Sequence, residues 1–142
     1  MRHQGVPVWV YVMPLVMIVI GYAIAFARKG HVSSTKVGSR RLEVRSLADP
    51  ATVFRLIAAL RAPFTVDDKD PSANILVLSS PVTFFTWGFL YPVVLHADGT
   101  GTRIEIGCHS RFIQMGPLVS RAHRKCADTI EQALSIPEAR IA

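Results

Sequence analysis

Two residue pairs in this chain could carry metal chemistry. His123 and Cys126 stand three apart, as two ligands on one helical face would, and Cys108-His109 lies upstream on an expected strand. Zinc accepts thiolate and imidazole ligands. Neighbours on a strand point to opposite faces, however, so Cys108 and His109 cannot converge on one ion. Cys126 falls on an apolar stripe, where a free cysteine behaves as a small hydrophobe. No metal or other cofactor is therefore expected. Nucleophilic, phosphate and hydride chemistry lack their motifs: the chain has no GxSxG, Walker loop, HExxH or dinucleotide fingerprint. Asp67, Asp68, Asp70 and Asp98 fall among turn-forming residues, where solvated carboxylates are ordinary. The residue types point to contacts and not to catalysis.

The clearest contact candidate is the stretch 81–95, PVTFFTWGFLYPVVL. It holds five of the twelve aromatics: Phe84, Phe85, Trp87, Phe89 and Tyr91. Gly88 and Pro92 break it, and it is too short to span a bilayer. Alternate side chains of a strand face opposite ways, so consecutive aromatics cannot all enter one core. Two readings stay open. Phe84, Phe85, Trp87 and Phe89 present a surface to a partner or membrane, or most of them pack inside and Phe84 alone is left out. The second candidate is the cluster Arg121, Arg124 and Lys125 at the start of an expected helix. Cations there oppose the helix dipole, at about 0.3–1 kcal/mol each when exposed. Asp128 stands four residues after Arg124 as a local counter-charge. The cluster is either a solvated face or a contact for lipid phosphate or acidic protein.

The formal net charge is +6, yet its placement argues against nucleic acid. Residues 28–45 hold Arg28, Lys29, Lys36, Arg40, Arg41 and Arg45 against Glu43 alone, and from Ser46 onward basic and acidic residues balance. A basic excess confined to one short segment suits anionic lipid and membrane orientation, not a duplex. Arg28, Lys29, Lys36, Arg40 and Arg41 are the expected anionic-lipid contacts. The two cysteines form no closely spaced pair, in keeping with a reducing compartment.

These residues need elements to hold them. Residues 6–27 carry no charge and are long enough, at about 1.5 Å per residue, to cross the roughly 30 Å hydrocarbon layer as a helix. Pro14 should kink it. Gly21 and Ala25 form a small-xxx-small pair that could receive another helix. Small residues near Ala23–Ala27 would also suit a signal peptidase. The single arginine before the apolar run and the Arg28-Lys29 pair after it favour an uncleaved anchor, with the N-terminus outside and the following domain cytoplasmic.

The expected organisation is a short outer N-terminus over 1–5, a membrane helix over 6–27, a flexible basic tether over 28–40, a domain over 41–136 and a tail over 137–142. Within the domain the patterns predict a strand over 41–46 and a helix from Pro50, capped by Asp49, to Arg61. Strands follow over 64–66 and 74–79, separated by a polar turn over 67–71. The hairpin 91–96 and 102–112 turns at Asp98-Gly99-Thr100-Gly101, and Pro92 places its first arm at an edge or marks that arm's start. A last amphipathic helix runs over 117–134, with Val119, Ala122, Cys126, Ile130 and Ala133 on one stripe.

The fold class is thus α+β, β-α-β-β-β-β-α behind an N-terminal apolar helix, with a mostly antiparallel sheet. This order, with the hairpin ADGTGTRIEI and a long amphipathic last helix, resembles a reduced helix-grip fold of the START-like lipid-binding kind over residues 41–134. That resemblance implies a cavity between sheet and helix for an apolar ligand. The functional expectation is a non-enzymatic, single-pass accessory or assembly subunit of a larger membrane protein complex. A membrane-tethered module that binds lipid or another hydrophobe is the alternative. Membrane lipids and a membrane complex are the expected partners, and nucleic acid is not.

Overall fold

The computed structural model describes residues 7–83, 85–112 and 116–141, with side chains up to Ser135. Among these described residues the elements follow in chain order. They are α1 Trp9–Ala27, β1 Arg41–Ser46, α2 Pro50–Ala58, β2 Thr65–Asp70, β3 Ile75–Ser79, β4 Phe89–Asp98, β5 Gly101–Gly107, β6 His109–Ser110 and α3 Pro117–Ile141. The strands form one antiparallel sheet in the order β1-β5-β4-β3-β2, with β6 beside β4.

Local chemistry accounts for most boundaries. Asp49 accepts the Thr52 backbone N–H at 3.0 Å and Pro50 opens α2, so cap and proline start this helix together. Gly99, at a φ of 62°, makes the turn between β4 and β5 that a side chain would strain. The last helix runs past its expected end at Leu134 and through Pro137, to Ile141. A proline removes one backbone bond and bends a helix without having to end it.

Two local expectations are corrected. The acidic stretch expected to turn at Asp67 is strand instead: β2 carries Asp67, Asp68 and Asp70 along the sheet edge, with a register shift between Val66 and Asp68. Charged side chains and bulges are what protects an edge strand from further pairing. Pro92 lies neither at an edge nor at a strand start, because β4 has β3 on one side and β5 and β6 on the other. Pairing with β5 stops at Val93 and resumes with β6 at Leu90, which leaves the proline, lacking its N–H, outside that ladder. Gly107 stands opposite, where a Cβ would come within 2.8 Å of Pro92 Cγ.

One face of the sheet is filled by α2 and α3. Leu76, Leu78, Tyr91, Val93, Leu95, Ile104 and Ile106 meet Val53, Phe54 and Ile57 of α2 and Cys126, Ile130 and Leu134 of α3. Each of these large side chains contributes about 1.5–3 kcal/mol by leaving water. On the other face residues 28–40 lie across the sheet as a strap and not as the flexible tether expected. Gly30 is buried against Val77 and Leu90, with no room for a side chain. Further along, the Val37 backbone packs on Gly107, and Gly38 reaches the His109 ring. Val77, Leu90 and Pro92 are therefore buried although they point away from the helices.

Candidate functional site

The most heavily built feature outside the core is the junction where α1 meets the domain. Gly21 and Ala25 are the buried residues of α1. The Trp87 ring lies over Gly21, so a Cβ there would sit 3.0 Å from Cη2. Trp87 also packs against Tyr22 and Phe112, with centroids 4.7 and 5.3 Å away. The Tyr22 hydroxyl donates to the Thr83 carbonyl at 3.3 Å. The small pair expected to receive another helix is thus occupied by the chain's own domain. Two small residues on one face of α1, Gly21 and Ala25, are what let an indole and a guanidinium approach its backbone.

Arg111 supplies that guanidinium. Its Nη1 donates to the Ala25 carbonyl at 3.2 Å, and its Nη2 lies 3.7 Å from Asp67 Oδ2. The side chains of this pair are only 10% and 8% exposed. A cation at the C-terminal turn of α1 also meets the negative end of the helix dipole. Asp67 is satisfied from three directions, since Ser79 Oγ donates to it at 2.6 Å and the Gly30 N–H at 2.9 Å. Arg28 in turn donates to the Arg111 carbonyl at 3.0 Å. Sequence reasoning missed Arg111 and Asp67, because nothing local marks two residues this far apart as partners.

The strap is pinned beside this cluster. Asp68 Oδ2 accepts the Val32 N–H at 2.9 Å, and His31 lies 3.8 Å away. The Val32 bond first, and the Lys69 N–H second, hold the Asp68 carboxyl below the usual carboxylate range. A carboxylate depressed in the folded state stabilises it above its unfolded pKa, and that contribution is lost as pH falls through the folded value. Protection of the Val32 amide against hydrogen exchange, corrected for intrinsic rate, should therefore fall on acidification below the ordinary carboxylate range. Asp68→Asn should remove this acid dependence. Unchanged protection across that window would disprove the pinning.

The aromatic segment divides. Phe85 is 82% exposed and Trp87 is half-buried in the junction. Phe89 is 3% exposed and Tyr91 is buried, so Phe89 belongs to the core and not to a contact surface. It falls on β4 facing the helices, in phase with Tyr91 and Val93. Phe84 lies outside the described residues. Beside this segment an open apolar cleft of about 310 Å³ is lined by Pro63, Phe64, Pro81, Phe89, Tyr91 and Ala122, with Lys125 at its edge.

The basic residues gather in two places. Arg28, Lys29 and Lys36 border a polar pocket of about 500 Å³ with His109 and Arg111. His109 Nε2 donates to the Lys36 carbonyl at 2.5 Å and ties this segment down. Arg40 and Arg41 join Arg121, Arg124 and Lys125 around a second groove. Arg41 pairs with Glu105 at 3.4 Å, while no ion pair links Arg124 to Asp128 among the described residues. The local counter-charge expected within α3 is therefore not engaged.

His123 is buried, and its Nε2 donates to the Ile106 carbonyl at 2.6 Å, tying α3 to β5. Burial pushes the Cys108 thiol up to about 12 and raises that of Cys126 as well. Thiols held protonated are poor nucleophiles and poor metal ligands. Among the described residues no three His, Cys, Asp or Glu side chains are grouped to hold a metal ion.

No protein-family model matches this chain, and no curated protein sequence does. Among solved structures, the crystal structure of Ara h 8.0201 is similar, with a TM-score of 0.52 at 12% identity over 67% of this chain and 93% of that one. Ara h 8.0201 is a Bet v 1-like protein of helix-grip fold. The domain has the helix-grip fold. At this identity the likeness concerns architecture alone. Here the grip closes on the chain's own side chains: the core residues of the sheet and of α3 are almost fully buried.

Proposed function

We propose that this chain is a non-enzymatic, single-pass membrane protein whose helix-grip domain acts by contact, as an accessory or assembly subunit of a larger membrane complex. The observation that carries this reading is the junction, which docks the domain against one end of α1 and leaves Phe85 exposed beside it. α1 is long and apolar enough to cross a bilayer, and its side chains from Trp9 to Ile20 are exposed. Such a surface suits lipid tails or neighbouring helices. Arg28 and Lys29, directly after α1, favour a cytoplasmic domain by the positive-inside rule. A filled interior and protonated, buried thiols fit a role in binding better than one in catalysis.

Purification in mild detergent through a C-terminal tag, with identification of co-purifying proteins, tests the reading. A membrane protein partner should be recovered in fixed ratio. Phe85→Ser should weaken that recovery about tenfold, as for an exposed aromatic anchor, while leaving thermal stability unchanged. Protease protection in sealed vesicles checks which side the domain occupies. A lone, ligand-free monomer would count against the proposal.

The open apolar cleft favours a second reading, a membrane-tethered module that binds lipid or another hydrophobe between α3 and the sheet rim. A hydrophobe recovered at one per chain, without a protein partner, would put this reading first.

A further inference from the structure

The groove between α3 and the segment entering β1 has a volume of about 580 Å³. Its cations come from two places distant in sequence: Arg40 and Arg41 on one wall, Arg121, Arg124 and Lys125 on the other, with Asp128 as the acid lining it. Among the described residues Arg40, Arg121, Arg124 and Lys125 take part in no ion pair, the nearby Glu105 being engaged by Arg41, His96 and Arg103. Like charges converging on one groove repel each other unless an anion occupies it. Five cations around a short concavity, four of them outside any ion pair among the described residues, match a compact polyanion, whereas a duplex needs an extended stripe.

Position selects the anion. Arg41 is paired with Gly107, at the end of β5 that leads through His109 to Arg111 and so to α1. On the other wall, Lys125 also borders the apolar cleft, together with Pro81 and Thr83 of the loop that holds Tyr22. Both walls therefore lie at the α1 end of the domain. We propose that this groove binds the phosphate headgroup of an acidic phospholipid in the leaflet next to the domain. This inference rests on the membrane reading of α1. Ser39 and Ser120 on the rim add hydroxyl donors for phosphate oxygens.

The test uses the full chain in non-ionic detergent, offered equal amounts of phosphatidylglycerol and phosphatidylcholine and read by native mass spectrometry. Phosphatidylglycerol should dominate the adducts. The triple variant Arg121→Gln, Arg124→Gln, Lys125→Gln should lose them by roughly tenfold or more. A charge-matched control, Arg45→Gln, Arg55→Gln, Lys69→Gln, should stay within about twofold, since distant exposed charges are screened. Undiminished adducts in the triple variant, or equal binding of phosphatidylcholine, would overturn the proposal. Displacement by inorganic phosphate would assign the groove to a soluble anion instead, and displacement by a glutamate-rich peptide to an acidic protein. Alkaline carbonate distinguishes failure of the membrane anchor from failure of the groove. A chain that it releases from membranes refutes the anchor, whereas a resistant chain without bound phosphatidylglycerol refutes the groove alone.

Discussion

Arg111→Ala is expected to destabilise the full chain by about 3 kcal/mol, the lower end of the cost of removing one partner from a buried ion pair. The substitution leaves Asp67 with an 8% exposed side chain and, among the described residues, no other ion-pair partner, and leaves the Ala25 carbonyl without its donor. Asp67 keeps its bonds from Ser79 and Gly30, which is why the upper end of the range is not expected. For a chain of this size the thermal midpoint in detergent should fall by roughly 10 °C. Arg111→Lys should recover only part of the loss, because one ammonium cannot reach both the α1 carbonyl and the carboxylate in the guanidinium's fork geometry. An unchanged midpoint in Arg111→Ala would mean that the pair is not what joins α1 to the domain.

Trp87→Ala should act on the same junction from its apolar side. A fully buried tryptophan costs about 3–5 kcal/mol when truncated, and a half-buried one should cost about 2 kcal/mol. Its distinctive readout is the docking itself. Proteolysis within residues 28–40 should accelerate as α1 and the domain separate, while the sheet core keeps its hydrogen-exchange protection. Gly21→Val should reproduce this effect, since its Cβ would meet the indole at 3.0 Å. Adding Gly21→Val to Trp87→Ala should then cost less than the two losses summed, because both disrupt one contact. Full additivity would place the two residues in separate environments.

Both predictions concern residues whose importance is not written in their neighbourhood. The alternation around Ile104 and Ile106 is local, and β5 duly places both inside. Asp49-Pro50 is a local cap, and α2 starts there. The run that forms α1 is legible from its length and lack of charge, because no other element could hold it. The strap was not legible. Residues 28–40 have no periodicity, and what lays them on the sheet is a pair of carboxylates on β2 together with the room left by Gly30. That covering is also why β4 reads as a continuous apolar run and not as an alternating strand. Phe89 and Phe85 belong to one aromatic stretch, yet strand phase buries the first and a loop exposes the second.

The α+β class, the apolar helix at the N-terminus and the partition of charge that separates a basic segment from a neutral domain are all readable from the order of the amino acids. Periodicity, capping residues and unbroken apolar length act over a few residues and need no fold to be read. Tertiary structure decided which of those residues meet. It set Arg111 against Asp67 and Ala25, turned the small pair Gly21 and Ala25 toward the chain's own domain, and gathered Arg40 and Arg41 with Arg121, Arg124 and Lys125 around one groove. Charge and packing act through space, and only the folded chain brings residues this distant in sequence within range of each other.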